Sequence, residues 1–66
     1  MNSKKTGSIL TALRGDKTQE EVATANGISL SALSMYEQGN RVPRDEIKVR
    51  LAAYYNKSVE EIFFTE

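Results

Sequence analysis

Few side chains in this sequence could do chemistry, and their spacing limits what that chemistry is. There is no histidine and no cysteine, so the chain lacks an ordinary general base near neutrality and a thiol nucleophile. Its serines have no partner to activate them. The acidic pairs Glu20-Glu21 and Glu60-Glu61 are adjacent, which on a helix turns their members about 100° apart and keeps them from converging. No Gly-rich phosphate loop occurs, and the metal-ligand inventory is carboxylates alone. Catalysis, a cofactor, a metal site and a small-molecule ligand are therefore not expected. What remains is recognition chemistry, concentrated between residues 29 and 38. At about 100° per residue, Ser29, Ala32, Leu33 and Tyr36 share one arc of a helix. Leu30, Ser31, Ser34, Met35 and Gln38 share the other, a short uncharged face of hydroxyl, amide and apolar groups. A helix with a committed inner face and such an outer face suits the DNA major groove, whose width admits one helix.

Two helices joined tightly must position that face. Thr18 can cap the first, with Glu21 three residues on completing a capping box, and Asn26-Gly27 supplies a left-handed stop. Ser29 caps the second, and Gly39 ends it. Ala23 is small enough to let the two helices cross closely, and Gly27 turns cheaply through positive φ. Before this pair, Ile9, Leu10 and Leu13 recur at helical spacing and predict a helix from about Ser3 to Arg14, weakened a little by Gly7 and ended by Gly15-Asp16. After it, Asn40-Arg41-Val42-Pro43-Arg44 reads as a loop, with Pro43 suited to a helix start. Asp45 and Glu46 then open a fourth helix to about Tyr55, with Ile47, Leu51 and Tyr54 or Tyr55 on its inner face. Ser58 and Glu61 form a second capping box for a short fifth helix whose Val59, Ile62 and Phe63 close the core.

The run Thr-Gln-x-x-Val-Ala-x-x-x-Gly-Ile-Ser-x-x-x-Leu-Ser-x-Tyr-Glu-x-Gly-x-Arg-x-Pro, from Thr18 to Pro43, resembles the phage repressor and Cro family of helix-turn-helix domains. With the first helix and the tail Ser58-Val59-Glu60-Glu61-Ile62-Phe63, the resemblance covers nearly the whole chain. It implies an all-α, compact five-helix, lambda-repressor-like domain spanning 1–66, with the helix-turn-helix at about 18–39. It also implies a sequence-specific DNA-binding transcriptional regulator, a repressor by type, acting on double-stranded DNA. One domain this small reads only a few base pairs, so two copies on a two-fold operator, a homodimer, are expected.

On that resemblance, base-edge contacts fall to Leu30, Ser31, Ser34 and Met35. Serine can donate or accept at several base edges, and Leu or Met can pack on a thymine methyl. These four include no Arg, Asn or Gln for bidentate readout, so specificity is expected to lean on DNA shape and phosphate positioning. Leu30 and Met35 also read simply as residues covered by a neighbouring segment or a partner subunit. Gln19 resembles the family's phosphate-clamping glutamine, and Thr18 presents backbone N–H groups at a positive helix end. A cap and an exposed amide are the plainer reading of the two. Asn40, Arg41 and Arg44 follow the recognition helix, where the family touches the DNA backbone, although a solvated loop would look the same. Glu37 would repel phosphate. In the family this position pairs internally with an Arg of the first helix, for which Arg14 is the match.

Sixty-six residues suffice for one small domain, near the lower limit for folding without metal or disulfide. The absence of cysteine fits a reducing compartment. No apolar run approaches a membrane span, and the polar start Met1-Asn2-Ser3-Lys4-Lys5 lacks the apolar stretch of a signal peptide, so a cytoplasmic location is expected. For the same reason the glycosylation pattern at Asn56-Lys57-Ser58 carries no weight. Nine basic and nine acidic residues give no net charge, whereas many DNA-binding domains are basic. The charges are segregated, however. Lys17, Arg41 and Arg44 bracket the motif, with Lys4 and Lys5 able to reach the same side, while Glu60, Glu61 and Glu66 gather at the chain's end. A dimer surface is expected among Tyr54, Tyr55, Phe63 and Phe64, more apolar than one small core needs. Neutral charge and the missing readout groups also fit a second reading, a protein-interaction module such as an antitoxin or anti-regulator that uses Leu30 and Met35 against protein.

Overall fold

The computed structural model describes residues 2–64, as five helices and no strand among them: α1 (Ser3–Arg14), α2 (Gln19–Ala25), α3 (Leu30–Gln38), α4 (Asp45–Tyr54) and α5 (Val59–Phe63). Each boundary follows from a local residue choice. Asn2, Thr18, Ser29 and Ser58 all sit in extended geometry and accept a backbone N–H from three residues on. These caps satisfy donors that have no partner inside the helix. The box at Ser58 and Glu61 closes in both directions. At Thr18 only the hydroxyl half forms, and among the described residues Glu21 makes no return bond. Pro43 is buried and lies ahead of the cap residue Arg44, two positions earlier than a proline at the first helical position would be, and α4 ends at Tyr54, with Tyr55 as its C-cap.

The helices enclose one core in which Leu10, Val22, Leu33, Leu51, Ile62 and Phe63 are wholly buried. Ala23, Tyr36, Ile47 and Ala52 complete it, with Ile9, Leu13, Ile28 and Val59 packed around it. Thr6, also buried, donates its hydroxyl to the Ile62 carbonyl at 3.2 Å and ties α1 to α5. Phe63 is therefore core and not surface, which takes it out of the expected dimer patch. Tyr54 and Tyr55 are half-buried and meet edge to face at 5.1 Å. Phe64 alone of the four is exposed, with the Lys48 ammonium 5.2 Å from its ring centre.

Gly7 does far more than weaken α1. A β-carbon there would collide with the backbone carbonyl of Glu37 and lie 2.9 Å from the carbonyl oxygen of Tyr36. α1 thus rests directly on the backbone of α3, and a bare α-carbon is what allows it. Gly39 makes a matching approach at the other end of the contact. It turns through φ 77° to stop α3, and a β-carbon on it would sit 2.9 Å from the α-carbon of Lys4. These two glycines fix the pitch of α3 against α1.

Candidate nucleic-acid interface

α2 and α3 are joined by Asn26, Gly27, Ile28 and Ser29. The Asn26 side chain donates to the Val22 carbonyl at 2.9 Å, Gly27 takes φ 67°, and the Ile28 N–H returns to the Ala23 carbonyl at 3.0 Å. That closes α2 and throws the chain into α3 with no slack. Leu33 and Tyr36 then face inward, and Ala32 is half-buried. The opposite side stays open: Leu30 is 50% exposed and Met35 37%, with Ser31 and Gln38 exposed and Ser34 half-buried among them. Leu30, Ser31, Ser34 and Met35 therefore share one outward face, and no segment of the described residues covers it. Ser29, placed by angle on the inner arc, is exposed because its hydroxyl works as the cap.

Glu37 lies inside. Its side chain is 4% exposed, one carboxylate oxygen accepts from Arg14 Nε at 2.9 Å, and the other accepts from Gln19 Nε2 at 2.9 Å. Arg14 also donates to the Lys17 carbonyl at 2.7 Å. Its guanidinium is held above its ordinary value, first by the hydrogen bond to Glu37 and further by that carboxylate's charge. One carboxylate thus gathers α1, the start of α2 and the end of α3. Gln19, expected at a phosphate, is brought here and fixed by its amide nitrogen, while Thr18 beside it spends its hydroxyl on the cap. Near this cluster Tyr55 is pushed up to about 12, by burial first and by the Glu37 charge second, and its buried hydroxyl has no hydrogen-bond partner among the described residues.

On another flank of α3 lies an open polar cleft of about 700 Å³, between the helix turn and the start of α4, whose lining includes Arg41, Arg44 and Arg50 together with Glu46. Arg44 makes a loose 3.6 Å contact with Glu46, and both side chains are well exposed. Arg50, absent from the sequence expectations, donates to the Asn26 carbonyl at 3.3 Å and so braces the turn. It becomes visible only when α4 is folded back against that turn. Lys4 is near the interface as well, since the first turn of α1 abuts Gly39.

One further group escaped the sequence reading. Gln38 falls on the outer arc, yet no role was expected of it. Here Asn40 Nδ2 donates to Gln38 Oε1 at 3.0 Å, and Gln38 Nε2 donates to Ser34 Oγ at 2.8 Å. The signal that could have found it is the i, i+4 spacing of Ser34 and Gln38.

Two short helices at a fixed turn, the second with an open outer face, on a five-helix all-α frame, define a helix-turn-helix protein. The helix-turn-helix family model matches residues 12–62, and the chain belongs to this lambda-repressor-like family of DNA-binding regulators, which are not typically enzymes. No characterised protein and no solved structure matches it. Among the described residues no helix is long and apolar enough to cross a membrane.

Proposed function

We propose that this protein is a sequence-specific transcriptional repressor of the Cro and phage repressor type. It works in the cytoplasm on double-stranded DNA, with α3 in the major groove. The observation that carries this reading is the outward face of α3, uncharged and uncovered, beside a cleft lined by three arginines. Leu30, Ser31, Ser34 and Met35 meet base edges, and Arg41 and Arg44 meet phosphates on the flank, with Asn40 and the Thr18-Gln19 end of α2 as further backbone contacts. Glu37 offers no repulsion there, because Arg14 and Gln19 hold it inside.

A domain this small reads few base pairs, so useful affinity calls for two copies on a two-fold site with half-sites about one helical turn apart. Phe64, exposed just past the end of α5, is the apolar surface through which the copies meet. Sedimentation at micromolar concentration should give a dimer mass that falls to the monomer's in Phe64→Ala, and an unaltered mass in that variant rules the surface out. A gel shift on random duplex tests DNA binding itself. Two cationic contacts per subunit predict that affinity falls roughly a hundredfold between about 50 and 200 mM salt. No detectable shift at either salt would favour the protein-interaction reading instead.

A further inference from the structure

We propose that Gln38 is a base-reading residue and that, together with Ser34, it presents a pair of hydrogen-bond donors selecting guanine; this rests on the DNA-binding reading above. The relay that sets this up starts from a rigid point. Gly39 is pressed against the first turn of α1, and the Asn40 N–H is bonded to the Met35 carbonyl at 3.0 Å. Asn40 Nδ2 donates to Gln38 Oε1, which turns the nitrogen of the Gln38 amide toward Ser34. One of its two N–H bonds is used on Ser34 Oγ, leaving the other free.

Ser34 is the acceptor in this bond, so its own proton remains to be donated. Thr11 shows the usual alternative, giving its hydroxyl to the Gly7 carbonyl one turn back at 2.9 Å. Ser34 makes no such bond among those of the described residues. The second Gln38 N–H and the Ser34 O–H are therefore two adjacent donors on the open face of α3. In the major groove guanine offers two neighbouring acceptors, O6 and N7. Adenine sets a donor beside its N7, and cytosine offers a donor. Gln38 is the last residue of α3, but helical side chains lean toward the N-terminus, which carries its amide back over the turn holding Ser34.

Selection of bound sequences from a random duplex pool, with the full chain and with Gln38→Ala, Ser34→Ala and Gln38→Glu, tests this. The wild-type chain should enrich a motif with a guanine in each half-site. Gln38→Ala and Ser34→Ala should reduce the preference for that guanine about fivefold or more while leaving the other positions unchanged. Gln38→Glu, an acceptor only, should move the same position toward cytosine. In the wild-type site, replacing the guanine with 7-deazaguanine should weaken the wild-type chain and not Gln38→Ala. A wild-type motif that survives intact in both alanine variants overturns the inference alone, as does relaxation at a position other than guanine. No enriched motif for the wild-type chain overturns the DNA reading and the inference with it.

Discussion

Replacing Glu37 with alanine removes the carboxylate that, from α3, is bonded to both α1 and α2, and its cost follows from the geometry. The carboxylate is 4% exposed and takes one hydrogen bond on each oxygen, both at 2.9 Å. It sits in the last turn of α3, where the helix dipole disfavours negative charge, so the two donors must offset that as well as its desolvation. Hydrogen bonds to a charged group contribute roughly 1.5–3 kcal/mol each. Solvent reduces the loss, because the Arg14 side chain is 20% exposed and keeps its bond to the Lys17 carbonyl. Gln19, half-buried, can turn its amide to water, and alanine is a slightly better helix former. The net cost is about 2 kcal/mol, or roughly 8–16 °C in Tm for a domain of this size.

Removing the other partner should be worse. Arg14→Ala leaves the carboxylate buried with only the Gln19 amide, and about 3 kcal/mol is expected, at the low end for a broken buried pair. The double variant should lose less than the two singles together, since their interaction is counted in both. Urea unfolding followed by circular dichroism, with Glu60→Ala as an exposed control expected within about 0.5 kcal/mol of wild type, measures all four. A Glu37→Ala loss no larger than the control's would mean that the buried carboxylate does not hold the helices together. An Arg14→Ala variant more stable than Glu37→Ala would contradict the expected order of the two losses.

Gly7→Ala should destabilise by about 3 kcal/mol or more in the same assay, since its β-carbon would meet the backbone carbonyls of Glu37 and Tyr36. Helix propensity alone predicts a gain of about 1 kcal/mol, so the sign of the change decides between the two. Tyr55→Phe should raise Tm by several degrees by deleting a buried hydroxyl that has no partner among the described residues, a relief of about 1 kcal/mol; a fall in Tm would show that the hydroxyl is bonded. Glu61 is held below the usual carboxylate range, first by the Ser58 backbone N–H and then by the Ser58 side chain. A lowered folded-state value means the stabilisation is complete above the ordinary glutamate range and drains away as pH falls through Glu61's own value. The Tm gap between wild type and Glu61→Gln should accordingly close in acid, and a gap constant with pH would contradict that linkage.

Helix boundaries were readable in the sequence because each depends on a residue type at a fixed short spacing: a side-chain oxygen three residues ahead of an N–H, or a glycine after the last turn. The open face of α3 was readable for the same reason, being a matter of angle within nine residues. What the sequence did not disclose was set by contacts between distant segments. Gly7 looked like a mild defect because the backbone it touches lies some thirty positions on, and nothing local marks a helix that must approach another bare. Arg50 gained its place only when α4 folded beside the turn. Residue type gives Gln19 and Glu37 separate roles, and the bond between them depends on the α2–α3 crossing, which no local spacing encodes. Gln38 falls by angle on the outer arc, but the direction of its amide depends on Asn40, which stands past the helix end in a position no periodicity describes.

The proposed function requires the outer side of α3 to be the surface that meets DNA. Backbone amide shifts followed by NMR while a duplex carrying the selected motif is added test it most directly. The largest changes should fall in α3, at Thr18 and Gln19 and in the loop 40–44, with α5 nearly silent. Changes concentrated on α5 and the α1 surface facing it, with the amides of α3 unmoved at saturation, would contradict it.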